Sequence, residues 1–239
     1  MIEEIYQIEI LKNFPRIKHA FSTKASGSMK KDDGTLAFAN VLKFAKPLRF
    51  ASMPIFMNQV HGNTIAVIES DRELVLPQTD GMITKRKDLP LAIVTADCLP
   101  VLLYDAAKDV IGVAHAGRKG LLNGVIHKVI SGMHSMYGSE PKDIIVGVGP
   151  SIERDCYEVD ETIINEFNDA FPNFNNMSVQ KEDKYFLNLR SIALQSLQKE
   201  GILGKNIEIS TVCTRCDERF YSYRRGEKDG RFVSMISLV

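Results

Sequence analysis

The architecture is indicated most clearly by residues 91–117, which read LAIVTADCLPVLLYDAAKDVIGVAHAG. This segment contains three apolar runs, at 91–95, 100–104 and 110–114, bounded by Asp, Pro or Gly. Short runs rich in Val, Ile and Leu are typical of β-strands. The breaks between them are too short for the helical crossover that joins parallel strands. We therefore expect some hairpin connections and a mixed sheet.

Further elements extend this pattern in both directions along the chain. Four more strands are predicted from β-branched runs at 64–68, 144–148, 207–212 and 232–238. Three helices are predicted at 119–136, 160–171 and 189–200, with Asp160 and Asn188 as N-caps of the last two. No repeat or long linker divides the sequence. These elements predict an α+β fold with mixed sheets, in one domain spanning residues 1–239.

The composition argues against several broad classes of protein. The 239 residues include 30 Lys plus Arg and 30 Asp plus Glu, and this zero net charge is unlike that of a basic nucleic-acid-binding protein. No apolar run reaches the ~18 residues of a membrane helix, and the first five residues are acidic where a secretory signal is basic. We therefore expect a cytoplasmic protein. Four cysteines are too few for a disulfide scaffold, which leaves catalytic, metal-binding or buried thiols.

Three residues with metal-binding side chains lie at strand ends or in Gly-rich turns: His61, Cys98 and His115. They are too far apart in the chain for a zinc-finger knuckle, so the fold would assemble any metal site from three separate turns. A thiolate with two neutral imidazoles suits zinc or copper, and catalytic zinc commonly has three protein ligands. Asp97 is a candidate to orient a histidine or to accept a proton. Spacing alone leaves open the alternative of a buried cysteine and two capping histidines.

Two further clusters have more than one interpretation. Cys213-Thr214-Arg215-Cys216 has knuckle spacing, but the sequence offers no second Cys or His pair, which favours a strand end over a structural zinc site. The segment Tyr221-Ser222-Tyr223-Arg224-Arg225, together with Arg231, brings cations beside hydroxyl groups. Such a cluster fits a phosphate or ribose contact as well as a solvated edge strand.

Six ordered motifs, taken together, resemble a known family. They are Phe21-Ser22-Thr23-Lys24, Gln59-Val60-His61-Gly62, Thr95-Ala96-Asp97-Cys98-Leu99-Pro100-Val101, Val113-Ala114-His115-Ala116-Gly117, Gly149-Pro150-Ser151-Ile152 with Cys156-Tyr157-Glu158-Val159, and Cys213-Thr214 with Phe220-Tyr221-Ser222-Tyr223-Arg224-Arg225. The chain is similar to the multicopper polyphenol oxidase or laccase-domain family, which includes the bacterial peptidoglycan editing factor and zinc-dependent purine nucleoside phosphorylases. The resemblance extends from about Phe21 to Arg231.

The resemblance implies a fold, a metal site and a function. The fold would be a mixed α/β sandwich with helices outside the sheets, similar to cytotoxic-necrotizing-factor-type cysteine hydrolases. His61, Cys98 and His115 would bind Zn²⁺, with copper as an alternative, and Cys98, Asp97 and His115 would act in catalysis. The implied reactions are phosphorolysis of adenosine, inosine or methylthioadenosine and deamination of adenosine. The partners would be a small-molecule nucleoside and phosphate, not nucleic acid or a membrane, and the oligomeric state stays open.

The chain departs from the usual motifs of this family at residues that affect anion binding. Arg118-Lys119 stands where Trp-Arg is common, and Lys24 stands where Arg is common. Guanidinium is a planar fork and ammonium a point charge, so these differences change how an anion is held while they keep positive charge. We therefore take Lys24, Lys119, Arg224 and Arg225 as candidates for binding substrate or phosphate.

Three other functions stay open from the sequence. In one, Cys98 is a nucleophile activated by His115, or the same residues hold zinc, and the enzyme hydrolyses an amide in a peptidoglycan precursor. In the second, bound copper oxidises phenols. Multicopper oxidases need additional histidine ligands, so five histidines limit this reaction to a side activity. The third is a zinc-bound partner protein without turnover.

Overall fold

A computed structural model describes residues 5–50 and 52–239, so residues 1–4 of the acidic N-terminus lie outside the described residues. Within these ranges four layers follow one another: a helix, a three-stranded sheet, a six-stranded sheet and a second layer of helices. This arrangement confirms the predicted α+β class and the mixed α/β sandwich. Among the described residues, no helix is both long and apolar enough to cross a membrane.

The larger sheet is mixed, as residues 91–117 predict. In spatial order its strands are β13 (Ile207–Ile209), β9 (Ile144–Val148), β7 (Leu99–Asp105), β8 (Val110–Ala116), β5 (Gly81–Thr84) and β3 (Ile65–Val67). The pairs β7–β8, β7–β9 and β5–β8 are antiparallel, whereas β3–β5 and β13–β9 are parallel. Every residue of β7 and β8 is buried, which explains why their sequences are continuous apolar runs.

The smaller sheet is wholly antiparallel and separates two runs that are neighbours in sequence. Its strands, in spatial order, are β1 (Ile17–Phe21), β14 (Phe232–Leu238) and β6 (Leu91–Thr95). Because β6 pairs with β14, β6 and β7 lie in different sheets and do not form a hairpin. The hairpin in this segment is formed by β7 and β8. Residues 96–98 cross from one sheet to the other and include Asp97 and Cys98.

The described residues form six α-helices, the last four of which the sequence predicts as three. They are α1 (Glu9–Lys12), α2 (Phe38–Ala45), α3 (Arg118–Leu122), α4 (Val125–Tyr137), α5 (Glu161–Ala170) and α6 (Leu189–Lys199). The predicted helix 119–136 is divided because Gly124 adopts a left-handed φ of 75°. Asn188 caps α6 as predicted, since its side chain accepts a hydrogen bond from the Ser191 N–H. At α5 the Asp160 side chain makes no such bond.

Three apolar clusters hold the layers together. Between the two sheets, side chains that include Phe21 and Tyr104 form one core. The other face of the larger sheet packs against α4 and α6, with Val129 of α4 fully buried. The outer face of the smaller sheet is covered by α2 through Val41 and Phe44. Burial of both faces of both sheets leaves the strand ends and loops to carry the polar site.

The remaining strands form two small sheets beside the sandwich. They are β2 (Phe56–Met57) with β4 (Val75–Leu76), and β10 (Glu158–Val159), β12 (Lys184–Leu187) and β11 (Ser178–Lys181). A short 3₁₀ helix, Arg154–Cys156, leads into β10. This turn brings Cys156 and Tyr157 towards the candidate site described next.

Candidate metal centre

Three distant segments bring His61, Cys98 and His115 together, as the sequence predicts. His61 follows β2, Cys98 lies in the link between β6 and β7, and His115 is on β8. One ligand atom from each residue lies within 4.8 Å of the others. The Cys98 Sγ is 3.8 Å from His61 Nε2, and the two imidazole centroids are 4.7 Å apart. Because His115 is buried and His61 exposed, the cluster opens to solvent on one side.

Asp80, immediately before β5, organises this cluster from behind. Its Oδ1 atom is 2.7 Å from His115 Nδ1, which leaves Nε2 of that ring for a ligand. The same carboxylate accepts hydrogen bonds from the backbone N–H groups of His61 at 3.0 Å and Gly62 at 2.8 Å. A single buried carboxylate therefore fixes both the orientation of His115 and the turn that carries His61.

The expected orienting role of Asp97 is wrong, because Asp97 makes other contacts. It accepts hydrogen bonds from Thr214 Oγ1 at 2.6 Å and from the Arg224 N–H at 2.8 Å. Asp97 and His61 both have positive φ, 85° and 61°, in a region that residues other than glycine rarely adopt. The hydrogen bonds to Asp97 hold one of these strained turns in place, and the bond from the His61 N–H to Asp80 holds the other. Asp97 lines the cavity described below, so its role as a proton acceptor stays a prediction.

Gly117, which ends the His-Ala-Gly motif, leaves room for the ligands. A Cβ atom at this position would lie 2.9 Å from Cys98 Sγ and 2.9 Å from His61 Cδ2. These distances are shorter than van der Waals contact, so any larger residue would displace two of the three ligands. The requirement for glycine here comes from close approach of the side chains.

The charges of the cluster favour a thiolate. Burial raises the pKa of Cys98, but the charge of His115 and hydrogen bonds from His115 and His61 outweigh it and lower that pKa to about 6. Burial lowers the pKa of His115, but the thiolate charge and the hydrogen bond to Asp80 raise it to about 9. In the absence of a cation the pair is therefore an ion pair. A thiolate and two imidazoles aimed at one point fit a zinc or copper ion, so the residues suit the implied metal.

A cavity of about 350 Å³ lies over the cluster, within the usual size range of small-molecule sites. Besides the three ligands, its lining includes Lys30, Gln59, Asp97, Tyr157, Tyr223, Arg224 and Arg231. The Gln59 side chain donates to the Val94 carbonyl at 2.9 Å and accepts from the Val94 N–H at 3.0 Å. Gln59 thus anchors the turn of His61 to the edge of β6.

Of the four cations predicted to bind substrate, only Arg224 lines this cavity. Lys24 forms an ion pair with Glu227, and Lys119 is exposed on α3. Arg225 donates to the backbone carbonyls of Thr214, Arg215, Asp217 and Phe220 and to the Glu227 carboxylate, so its guanidinium stabilises a loop. Lys24 and Arg225 are thus held by other groups and Lys119 lies outside the cavity lining, so anion binding by these three residues stays a prediction.

Lys30 and Arg231 are cavity cations that the motif-based prediction does not include. Lys30 lies in a polar segment without periodicity, so sequence alone does not single it out. Arg231, which precedes β14, belongs to the cation cluster that the sequence leaves open as a phosphate or ribose contact. Arg118, at the position where Trp is common in the family, begins α3 and lines a neighbouring cavity together with Tyr157 and Arg224. Its guanidinium lies 3.7 Å from Glu166.

A second cluster of metal-binding side chains lies beside Tyr157. The sulfur atoms of Cys156, Cys213 and Cys216 are all within 4.8 Å of one another. Burial, with hydrogen bonds to Cys216 and Cys213, raises the pKa of Cys156 to about 12. The interpretation of Cys213–Cys216 as a simple strand end is incomplete, since β13 ends at Ile209 and the fold adds a third thiol.

Comparison with known proteins gives matches over most of the chain. The family model described as multi-copper polyphenol oxidoreductase laccase matches residues 16–239. A purine nucleoside phosphorylase of Mycobacterium bovis is 31% identical over 217 residues, which are 90% of this chain and 85% of that protein. The purine nucleoside phosphorylase YlmD of Bacillus subtilis is 33% identical over 196 residues, 77% of this chain and 70% of that protein.

Solved structures show the same fold. The hypothetical protein YfiH of Bacillus licheniformis has a TM-score of 0.86 at 29% identity, covering 99% of this chain and 97% of that one. YlmD of Geobacillus stearothermophilus also has a TM-score of 0.86, at 25% identity, covering 94% and 93%. The layered architecture and the chain length are therefore shared with both proteins.

Proposed function

We propose that this chain, which belongs to the multi-copper polyphenol oxidoreductase laccase family, is a zinc-dependent purine nucleoside phosphorylase. The observation that carries the proposal is one cavity that combines a His₂Cys cluster with cations and tyrosines. The relatives from M. bovis and B. subtilis bear the name of this activity. The proposed substrates are adenosine, inosine and methylthioadenosine, with phosphate as the second substrate.

Lys30 and Arg231 are the groups we assign to phosphate. Both are half-buried in the cavity wall. Burial lowers the pKa of Lys30, and the nearby charge of Arg231 lowers it further. An anion bound between these two cations would relieve their repulsion. Arg224 offers a third guanidinium in the same cavity, although its Nη1 already donates to the Glu158 carbonyl at 2.7 Å.

Tyr157 and Tyr223 are the groups we assign to the purine. Both line the cavity, and a tyrosine ring offers a flat apolar face on which a base stacks. The Arg224 guanidinium carbon lies 4.5 Å from the Tyr157 centroid, and this cation–π contact holds the ring in place. The family commonly has Trp at the position of Arg118, and the two tyrosines offer an aromatic surface in its place.

In the proposed phosphorolysis, a phosphate oxygen bonds to C1′ of the ribose while the C1′–N9 bond breaks. The proton of hydrogenphosphate passes to the departing base, so the products are ribose 1-phosphate and a neutral purine. Lys30 and Arg231 orient the phosphate and balance its charge. Zn²⁺ bound by His61, Cys98 and His115 would supply Lewis-acid polarisation of the substrate.

We extend the proposal to deamination of adenosine, in which water adds at C6 and ammonia leaves to give inosine. Asp97 is the proton acceptor we assign, because its carboxylate is buried and lines the same cavity. Its hydrogen bonds from Thr214 and the Arg224 N–H fix its orientation.

The test is product analysis with purified enzyme and each of the three nucleosides, with and without phosphate. We expect free base only when phosphate is present, and inosine from adenosine in either case. The variant Cys98→Ser should lose both reactions, and Lys30→Met should raise the KM for phosphate about tenfold, with a smaller effect on deamination. Absence of both products with all three nucleosides would refute the proposal.

A second candidate function is supported by the order of contacts Asp80, His115, Cys98. This is the arrangement of a cysteine hydrolase, in which the thiolate attacks an amide carbonyl and the histidine protonates the leaving amine. The substrate would be an amide in a peptidoglycan precursor, cleaved with or without zinc. Full amidase activity in chelator-treated enzyme would favour this function. Loss of nucleoside turnover on chelation and recovery with zinc would favour the phosphorylase.

Copper-dependent phenol oxidation stays a side activity in this proposal. His19 is buried and accepts a hydrogen bond from the Ile8 N–H, while His127 and His134 lie on α4 beside Glu200 and the Ser139 carbonyl. These three histidines therefore offer no second imidazole ligand set beside His61 and His115. Oxidation of a phenol at a rate above that of nucleoside turnover would contradict this view.

A further inference from the structure

We infer that Cys156, Cys213 and Cys216 form a second metal site, which binds a thiophilic divalent cation such as zinc through three thiolates. This inference is independent of the proposed nucleoside chemistry. Two of the ligands come from the turn after β13, and the third comes from the 3₁₀ helix Arg154–Cys156. The fold therefore supplies the third ligand that the isolated Cys213–Cys216 knuckle lacks.

The distances between the sulfur atoms fit a shared ion. Sulfur atoms at about 2.3 Å from a tetrahedral zinc lie about 3.8 Å from one another. The three sulfur atoms here are within 4.8 Å of one another, and Cys156 Sγ is 3.3 Å from Cys216 Sγ. Changes of up to about 1 Å in the distances between sulfur atoms would place all three around one cation. The partial exposure of the cluster at Cys216 leaves room for a fourth ligand, such as water.

The backbone around Cys213 is arranged as in a metal-binding knuckle. The Glu153 N–H donates to Cys213 Sγ at 3.4 Å, and the Cys213 carbonyl accepts from the N–H groups of Cys216 and Asp217. N–H donors directed at a sulfur stabilise its thiolate form, as they do in metal sites. A thiol that only filled space in the core would not need such donors.

A half-buried cation balances the charge of the cluster. Three thiolates and a divalent ion carry one net negative charge, and the Arg190 guanidinium interacts electrostatically with both Cys213 and Cys156. Arg190 itself is held by hydrogen bonds to the Ser151 carbonyl at 2.7 Å and the Val212 carbonyl at 2.6 Å. These acceptors are neutral, and the guanidinium charge is shared between the Glu153 carboxylate, its strongest charged neighbour, and the sulfur atoms.

The site would join two walls of the catalytic cavity. Cys156 precedes Tyr157, which lines the cavity, and Cys213 precedes Thr214, which donates to Asp97. A cation shared by the three thiols would therefore fix Tyr157 relative to Asp97. Its role would be structural, since the thiols themselves do not line that cavity.

The experiment is a metal count on the whole protein. Reduced, chelator-treated protein is reloaded with zinc, excess metal is removed, and zinc per chain is measured by mass spectrometry. We expect two zinc ions in the wild type and one in either Cys98→Ser or Cys216→Ser. One zinc ion in the wild type that is lost in Cys98→Ser but kept in Cys216→Ser, or two zinc ions in Cys216→Ser, would overturn the inference.

Cobalt substitution gives a second measurement, the first part of which uses the wild type alone. Stepwise Co²⁺ addition to the wild type should give two sulfur-to-cobalt charge-transfer signals, the more intense from the three-thiolate site. In Cys98→Ser that intense signal should remain, and in Cys216→Ser it should be lost. A single weak signal, or a free-thiol count showing a Cys156–Cys216 disulfide in place of metal binding, would also overturn the inference.

Discussion

The two clusters of metal-binding side chains have the same number of ligands but different surroundings. His61, Cys98 and His115 include two imidazoles and open onto a cavity with cations and tyrosines. The three-thiol cluster lies between two loops, with backbone N–H groups and a guanidinium close to sulfur. All three residues of the first cluster line a cavity with space for a substrate, whereas in the second cluster only Cys156 lines a cavity, the neighbouring one beside Arg118.

This difference shows that the ligand set alone does not separate a reactive centre from a structural one. What distinguishes the first cluster is the carboxylate of Asp80 behind His115 and the empty volume in front of it. Both features come from parts of the chain far from the ligands.

Replacing one thiol in each cluster should separate them most clearly. We expect Cys98→Ser to lower nucleoside turnover about 10³-fold or more, because it removes a ligand that faces the substrate. Cys216→Ser should lower it less than about tenfold, since its thiol acts only through loop position. Steady-state kinetics with both variants measures this ratio. Equal losses in the two variants would remove the functional distinction.

Thiol reactivity in metal-free, reduced protein gives the next contrast. Cys98 has a pKa of about 6 and is mostly thiolate at pH 7, whereas Cys156, with a pKa of about 12, is protonated there. Alkylation by iodoacetamide at pH 7 should therefore be about 10²-fold faster at Cys98, and its rate should fall as the pH drops through 6. Peptide mass spectrometry over time measures both rates. Similar rates at the two cysteines would contradict the charge analysis.

Removing the charge of Asp80 should weaken only the first cluster. Asp80→Asn loses the anionic partner of His115, and we expect zinc affinity at that site to fall by about 10- to 100-fold. The matched control is Asp109→Asn, which removes a carboxylate paired with Arg16 outside both clusters. Competition with a zinc chelator measures the two affinities. Unchanged affinity in Asp80→Asn would show that Asp80 does not support the metal.

Adding one methyl group beside the ligands should have the smallest effect. Gly117→Ala places a Cβ 2.9 Å from Cys98 Sγ, so we expect a loss of about 1–3 kcal/mol in the free energy of unfolding and reduced zinc binding. At Gly204 the nearest atom to such a Cβ is 3.6 Å away, and Gly204→Ala should change stability by less than about 0.5 kcal/mol. Urea titration compares the two. If Gly117→Ala were as stable and as well metallated as Gly204→Ala, the close packing would be refuted.

The sequence predicts seven of the nine strands in the two main sheets, because burial leaves continuous apolar runs, but it does not predict β1 or β5. It does not predict which sheet each strand joins. β6 pairs with β14 near the other end of the chain, and nothing local to residues 91–95 indicates that partner. The break between α3 and α4 was likewise missed, since a single glycine in an amphipathic stripe is compatible with a continuous helix.

At the site, the strand-end motifs correctly bring His61, Cys98 and His115 together, but the supporting residues depend on tertiary contacts. Asp80 precedes a four-residue strand that the sequence analysis does not predict, so nothing in the sequence singles out its carboxylate. Lys24 is paired with a glutamate two hundred residues away in sequence, which no local pattern reveals. Cys156 is also distant in sequence from Cys213 and Cys216, so no local pattern reveals that the three thiols meet.

The link at residues 96–98 belongs to neither sheet, because it leaves β6 in one and enters β7 in the other. His115, by contrast, is fixed within the larger sheet. Cys98 directly precedes Leu99, whose partner in β8 is Ala116, so the larger sheet also sets the distance from Cys98 to His115. His61 is tied to the smaller sheet, because Gln59 is hydrogen-bonded to Val94 of β6. The spacing between His61 and His115 therefore depends on how the two sheets pack on each other. Loss of side-chain volume in the core that contains Phe21 and Tyr104 would change this spacing between ligands, although no ligand is itself replaced. Metal content should thus report on the integrity of the whole sandwich.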